Sequence, residues 1–372
     1  MYYIFVTNNN LSLSIPFFCA LSAATCIPIY FAGKLLCGHR IAFLSGLFYT
    51  LNITSIAHSP LLLSDTLFTA FVAGQLYFSI SYYKNGATSS IILGSLLWAF
   101  AVYTRSMIIY WIILFPILII LHPHKKLSNK IIDIVAVIVI SFLLITPWML
   151  RNNSLGAGFR METNSGNIYY HNGAALQSKI TGTPSEEIRE KWRNEDAKEF
   201  SAKRNLYPDE NSKYKYKMEK FKTLVFQNPF RYLLLHFHPV MLFPDLPTFF
   251  EILGFTQTGQ GTLDTLHRKG LKAAILHYFD GKLWLIFLAS PALLLVCFVY
   301  LFCFITLIKW IILKKLFFIW LFLLFIVYFL FLPGPVVMPR YHLPALPLIC
   351  IMAAISIDQF FVKFKTYFIT IR

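Results

Sequence analysis

The sequence predicts an all-α polytopic membrane protein with about nine transmembrane helices and one large loop domain on the outer face. Of its 372 residues, 57% are apolar and only 13% are charged, and its mean hydropathy is +0.61. Soluble domains average about 25% charged residues. Apolar runs of about 15–25 residues recur along the chain, close to the ~20 residues that cross a bilayer as a helix. Together these observations exclude an ordinary soluble domain.

Nine apolar runs separated by polar turns are the predicted spans. They cover residues 11–33, 41–57, 62–83, 90–104, 106–122, 131–149, 284–308, 316–332 and 341–358. Fourteen of the seventeen acidic residues lie in the long polar stretch between the sixth and seventh spans. We therefore divide the chain into N-terminal transmembrane helices (1–149), an outer domain (150–282) with an amphipathic helix near 225–244, and C-terminal transmembrane helices (283–372).

The charges of the short loops predict the orientation of the helices. Twelve Lys and Arg residues lie on the loops of one side, whereas the short loops of the other side hold only Arg105 and Arg340. Lys and Arg near helix ends are retained in the cytoplasm. We therefore predict a multi-pass protein of the inner (plasma) membrane, with its N-terminus and the 150–282 domain outside and its C-terminus in the cytoplasm. Topology thus accounts for much of the +16 net charge, and we predict no nucleic-acid partner.

The six cysteines lie in or at the ends of apolar segments and form no Cys-x-x-Cys pair, so we predict neither a disulfide framework nor a structural zinc site. No Ser-His-Asp or His-Glu-x-x-His pattern occurs. We predict no cofactor and leave a divalent metal open.

Ionisable side chains at the outer ends of spans are the informative positions, because each costs about 2.5–3.5 kcal/mol at a helix centre unless it is paired or hydrated. Asp65 begins the third span, next to a tight turn at His58-Ser59-Pro60. Ser64 or Asp65 could simply cap a helix. Alternatively, Asp65 is a carboxylate that faces a cavity.

Three arginines lie at the predicted outer ends of spans, where positive charge is rare: Arg105, Arg151 and Arg340. A single arginine at an interface usually extends its head to water and has no other role. Three of them, with paired donors and a permanent charge, are typical of a phosphate or diphosphate site. An anionic headgroup is the predicted ligand.

Several motifs resemble a known family of polytopic glycosyltransferases of the GT-C class, the dolichyl-phosphate-mannose protein mannosyltransferases and lipid A aminoarabinose transferases. These motifs occur in the same order as in the family and extend from about residue 60 to about residue 350. The matching pieces are Leu62–Phe68 (LLSDTLF), Tyr103–Arg105 (YTR), Thr146–Asn152 (TPWMLRN), Asn228–Tyr232 (NPFRY) and Arg340–Pro347 (RYHLPALP).

The resemblance implies a GT-C-like fold and transfer of a sugar from a polyprenyl-phosphate carrier to a glycan, lipid or protein acceptor on the outer face of the membrane. In that chemistry a base takes a proton from the acceptor, and arginines stabilise the departing phosphate. The expected catalytic residue is Asp65. The expected substrate-binding residues are Arg105, Arg151, Arg340, Tyr341 and His58.

Family members carry an acidic pair in an outer loop after their first helix, and here no acid precedes Asp65. The resemblance therefore implies a chain that lacks the family's first helix and acidic loop, and whether they exist upstream of Met1 stays open. The 372-residue chain alone is expected to bind the donor lipid but to transfer sugar slowly or not at all. Asp245 and Glu251 are alternative acids. A lipid-carrier transporter or flippase, and a non-catalytic remnant of the transferase, remain as alternative functions.

Overall fold

The computed structural model describes residues 11–163, 166–237, 242–255, 262–335 and 338–370. Of these residues 81% are helical, and none is in a β-strand. The prediction of an all-α protein is confirmed.

The N-terminal part is built from helices that cover the first six predicted spans. They are α1 (Leu11–Ala24), α2 (Cys26–Cys37), α3 (His39–Thr50), α4 (Ile53–His58), α5 (Ser64–Asn85), α6 (Thr88–Thr104), a 3-10 turn (Ser106–Tyr110), α7 (Trp111–Ile120) and α8 (Leu127–Ser154). The second predicted span, 41–57, is divided between α3 and α4. The break occurs where the Asn52 side chain accepts hydrogen bonds from the N–H groups of Thr54 and Ser55 and so begins a new helix.

The polar segment 150–282 is also helical. Its described elements are a π-helical turn (Tyr169–Gly173), α9 (Ala174–Thr181), α10 (Ser185–Ala202), α11 (Glu210–Gln227), α12 (Pro229–Leu234), α13 (Leu246–Ile252) and α14 (Thr262–Tyr278), which is kinked at Gly270. An aromatic cluster of Tyr169, Tyr170 and Phe221, packed against Trp192, forms a small core of its own.

The C-terminal part contains α15 (Leu285–Ile312), α16 (Leu316–Phe322), a π-helical turn (Leu323–Val327), α17 (Tyr328–Phe331), a 3-10 turn (Pro339–Ala345) and α18 (Leu346–Thr370). The stretch 346–354 is apolar all round and completely buried, as expected for a helix that is surrounded by others. Thr306 of α15 fixes the contact with α18 by donating to the Met352 carbonyl at 2.6 Å. α18 is therefore the central helix of the bundle.

Small residues let neighbouring helices approach closely, as is common between membrane helices. A Cβ placed on Gly33 of α2 would lie 3.0 Å from Cα of Ala42 in α3. A Cβ on Gly74 of α5 would lie 2.6 Å from a methyl carbon of Leu97 in α6.

Four helices are long and apolar enough to cross a membrane: Ser14–Cys37, Leu127–Ser154, Leu285–Ile312 and Pro339–Phe361. Three shorter apolar helices are Thr88–Thr104, Ser106–Ile120 and Leu316–Phe331. These helices indicate a membrane protein, and the number of nine spans stays a prediction. In the segment 225–244 the structure has the end of α11 and the short α12. Residues 238–241 lie outside the described residues, so the amphipathic helix also stays a prediction.

The bundle has two ends, and we name each after the acid that it contains. α5 has 22 residues, which corresponds to about 33 Å. Asp65 lies in its first turn and defines the Asp65 end, which adjoins the polar segment. Tyr82 near its other terminus contacts Asp133, which defines the Asp133 end.

Candidate functional site

The first element of the site is an ion pair between the start of α5 and the residue that follows α6. An Nη2 atom of Arg105 lies 2.6 Å from Oδ2 of Asp65, and its Nε lies 3.4 Å from the Ser64 hydroxyl. The Asp65 side chain is only 3% exposed and that of Arg105 is 18% exposed. The backbone of Arg105 is extended, so the chain turns away from α6 at this residue. Asp65 is therefore a buried, ion-paired carboxylate.

The second element is the 3-10 turn that precedes the central helix. The Tyr341 ring centroid lies 5.3 Å from Cζ of Arg105 and 5.6 Å from Cζ of Arg340. The Nε atom of Arg340 is buried and has no hydrogen-bond partner among the described residues. Two guanidinium groups thus lie against one aromatic ring, and one of them, that of Arg105, pairs with the Asp65 carboxylate. The cluster of Asp65, Arg105, Arg340 and Tyr341, which we call the arginine cluster, has a formal charge of +1.

Arg151 lies apart from these contacts. It is exposed, its Cζ lies 4.6 Å from the Trp148 ring centroid, and its Nη1 lies 3.4 Å from Oδ1 of Asn152. Both partners belong to its own helix, α8. No contact between Arg151 and the arginine cluster is seen among the described residues, so its place in a shared site stays a prediction.

His58 is buried behind the start of α5. Its Nε2 lies 2.8 Å from Oδ2 of Asp245, a residue of the polar segment 187 positions later, and its carbonyl accepts a hydrogen bond from the Thr66 hydroxyl. Nδ1 of His58 is buried without a hydrogen-bond partner in the described part of the chain. The structure therefore places His58 between α4, α5 and α13 rather than at an open surface.

Asp245 is held on several sides. It accepts hydrogen bonds from His58 and from the Thr248 hydroxyl at 2.8 Å, and its N–H donates to the Thr54 hydroxyl. Burial acts to raise the pKa of Asp245, but the hydrogen bonds from His58 and Thr248 outweigh it and hold the pKa below its ordinary value. Asp245 therefore fastens the polar segment to the bundle. Glu251, the other alternative acid, is exposed on α13.

Glu162 is an acid that the sequence did not single out. Its Oε2 atom accepts a hydrogen bond of 2.6 Å from the hydroxyl of Ser106, the residue that follows Arg105. The residue is exposed. Glu162 lies in an irregular part of the polar segment, where no local pattern indicates a role. The contacts of Trp148 and Asn152 with residues 160–161 bring it to the Asp65 end.

An apolar groove of about 230 Å³ lies beside α7 and α17. Its lining includes Trp320, Leu324, Tyr328 and Phe331. The Tyr328 hydroxyl donates to the carbonyl of Met107, two residues beyond Arg105. The groove therefore extends along the bundle toward the Asp65 end.

No group of three or more His, Cys, Asp or Glu side chains in the described ranges could hold a metal ion. All six cysteines are free thiols. The described residues thus contain no constellation for a protein-held metal or a disulfide.

Comparison with known proteins gives one family match. Residues 1–150 match the model of the dolichyl-phosphate-mannose-protein mannosyltransferase family. The match confirms the resemblance for this part of the chain, which includes the LLSDTLF, YTR and TPWML motifs and contains Asp65 and Arg105. Neither a curated protein nor a solved structure matches the chain.

Proposed function

Because residues 1–150 match a family of lipid-linked sugar transferases, we propose that the chain is a membrane glycosyltransferase. It transfers a sugar from a polyprenyl-phosphate carrier to an acceptor, and the site is the arginine cluster at the Asp65 end. The acceptor is a glycan, a lipid or a protein, and the Asp65 end faces the outside of the inner membrane. The excess of basic residues on the opposite short loops supports this orientation.

The observation that carries the proposal is the buried, unpartnered Nε of Arg340 beside a second arginine. A buried donor without a partner costs about 1–3 kcal/mol. A phosphate oxygen would satisfy that donor and would also neutralise the surplus positive charge of the cluster. Guanidinium groups suit this task because they present paired donors and stay charged.

The chemistry follows from these positions. The acceptor attacks the anomeric carbon of the sugar, and the bond from that carbon to the carrier phosphate breaks. Negative charge increases on the departing phosphate, where Arg105 and Arg340 stabilise it. Asp65 keeps the Arg105 guanidinium in place, and Tyr341 is a stacking surface for both arginines. The apolar groove along Tyr328 and Phe331 would hold a short part of the hydrocarbon chain of the carrier.

His58 and Arg151 have different places in the proposal. His58, paired with Asp245, supports the start of α5 from behind and would act on the substrate through the position of Asp65. Arg151, stacked on Trp148, would be a third phosphate contact only if its side chain moved toward the cluster. Substitution of each residue would test these two roles.

Binding of polyprenyl monophosphate to the full chain in lipid nanodiscs tests the proposal. We expect Arg340→Ala to weaken binding about 10- to 150-fold, equivalent to roughly 1.5–3 kcal/mol for one charged partner. Arg204→Ala, which removes an exposed arginine of the polar segment, is the matched control and should leave binding unchanged. Polyprenol, which lacks the phosphate, should bind weakly to every variant. Equal binding of phosphate and alcohol by the unmodified chain would exclude a phosphate site.

A further inference from the structure

A small cavity lies inside the helix bundle, apart from the arginine cluster. Its volume is about 10 Å³, and its wall includes Gln75 of α5, Ser95 of α6, Trp111 of α7 and Ser141 of α8. Each of these four residues is at most 2% exposed. Gln75 follows Asp65 by ten positions in α5, which corresponds to about 15 Å along the helix. The cavity, which we call the mid-bundle cavity, is therefore separate from the candidate site.

Two buried polar atoms on this wall have no hydrogen-bond partner within the described ranges. They are Oε1 of Gln75, which can accept a hydrogen bond, and Nε1 of Trp111, which carries a hydrogen to donate. Other polar groups of the wall are satisfied. The Trp98 indole N–H donates to the Ile108 carbonyl at 2.9 Å, and the Ser95 hydroxyl donates to a carbonyl of its own helix. The wall thus presents an unused acceptor and an unused donor.

Packing holds both of these side chains at the cavity wall. The Trp111 ring centroid lies 4.7 Å from that of Phe325 and 5.6 Å from that of Phe329. Gly94 of α6 leaves room for Gln75, since a Cβ on Gly94 would lie 3.9 Å from the Gln75 Cγ. A direct bond between Gln75 and Trp111 would therefore require one of them to give up these contacts.

The chemistry of the wall selects a small neutral ligand. No Lys, Arg, Asp or Glu lies among the described residues that line the cavity, so an ion would have no counter-charge there. A buried water needs about 10–15 Å³ and two to four polar partners. A water molecule can both donate and accept, which is what a wall with one group of each kind requires.

We propose that the mid-bundle cavity binds one water molecule, which bridges Gln75 and Trp111. One O–H of the water donates to Oε1 of Gln75, and the water oxygen accepts from the indole N–H of Trp111. The hydroxyl oxygen of Ser95 can accept from the second O–H. The water thereby links α5 to α7 at a depth where these side chains have no access to bulk water.

The melting temperature of Gln75→Met, measured with the full chain in lipid nanodiscs, tests this proposal by its sign. Methionine has about the same length but no amide oxygen, so the water loses a partner and the melting temperature should fall by about 1–4 °C. A dry cavity predicts no change or a rise, because the substitution then removes a buried oxygen that had no partner. Gln227→Met, at the exposed end of α11, is the matched control and should leave the melting temperature unchanged.

Proton-detected solid-state NMR of the unmodified protein in lipid detects the water directly. The Trp111 indole signal, assigned by its loss in Trp111→Phe or its shift in Gln75→Met, should receive magnetisation from water. The Trp320 indole N–H donates to the Leu114 carbonyl at 3.1 Å, so it is the control and should receive much less. Transfer to Trp111 no stronger than that to Trp320 would overturn the proposal, and a lower melting temperature of Gln75→Met would then be an effect of packing.

Discussion

Two acid–base pairs lie at opposite ends of the bundle and look alike at first. Asp65 and Arg105 meet at 2.6 Å at one end, and Asp133 and Lys125 meet at 2.5 Å at the other. All four side chains are less than a fifth exposed. Their surroundings differ, and the difference separates a structural ion pair from one that belongs to a binding site.

At the Asp133 end, both members of the ion pair make further hydrogen bonds within the protein. Asp133 also accepts hydrogen bonds from the Tyr82 and Thr88 hydroxyls at 2.7 and 2.8 Å, and Lys125 also donates to the Gly86 carbonyl. The charges of acid and base balance. At the Asp65 end a second arginine lies beside the pair, and its buried Nε has no partner among the described residues. The second guanidinium beside the ion pair is what distinguishes the candidate site.

The largest effect that we expect is a loss of stability at the Asp133 end. Lys125→Met should lower the free energy of unfolding by about 3–5 kcal/mol, because it leaves a fully buried carboxylate without its cation. Unfolding in mixed detergent, followed by tryptophan fluorescence, would measure this change.

The double variant Lys125→Met/Asp133→Leu is the control for that experiment. It removes both charges, so it should be more stable than Lys125→Met alone. A single variant as stable as the unmodified protein would mean that the carboxylate is solvated at this end too, and the contrast between the two ends would disappear.

Arg105→Gln makes the corresponding change at the Asp65 end. We expect a smaller loss of stability, roughly 2–3 kcal/mol, because Arg105 is partly exposed and water can approach Asp65. Unlike Lys125→Met, it should also weaken binding of polyprenyl phosphate. Measuring unfolding and polyprenyl-phosphate binding of Arg105→Gln in parallel would test whether stability and binding are lost together. Loss of stability with unchanged binding would make this pair structural as well.

The fold was predictable from the sequence where apolar runs decide it. Each of the nine runs became helical, since a backbone in lipid must satisfy its own hydrogen bonds. The breaks inside the runs were not predictable from hydropathy. The interruption before α4 depends on the side chain of Asn52, a residue that changes the mean hydropathy little.

The candidate site was predictable only in its individual residues. Asp65, Arg105 and Arg340 stand out because each is an ionisable side chain at the end of an apolar run. That Arg105 binds Asp65, 40 positions earlier, depends on how α5 and α6 pack, which no local pattern contains. The contact of Glu162 with Ser106 could not be predicted at all, because Glu162 is one acid among many in a polar segment.

A third acid, Asp245, gives a prediction for pH. Its pKa in the folded protein is lower than the ordinary value of 3.8. The ionised carboxylate therefore stabilises the fold above that pH, and this contribution is lost as the pH falls below 3.8 through the folded pKa. Asp245→Asn should lower the free energy of unfolding by about 1–2 kcal/mol at neutral pH. Melting temperatures between pH 6 and pH 3 should fall less steeply for Asp245→Asn than for the unmodified chain.

The smallest effect should come from Arg151, which the sequence groups with the other two arginines. Its guanidinium is exposed and stacked on Trp148, an arrangement worth about 0.5–1 kcal/mol at a surface. If that stacking is its role, Arg151→Ala should change donor binding less than threefold, whereas Arg340→Ala should change it at least tenfold in the same assay. Arg151→Lys adds a second measure, because a lysine keeps the charge but loses the planar stack. A loss in Arg151→Ala as large as that in Arg340→Ala, with binding retained in Arg151→Lys, would mean that Arg151 leaves Trp148 to bind the phosphate. The Asp65 end would then contain three phosphate-binding cations, and its contrast with the balanced Asp133 end would be larger still.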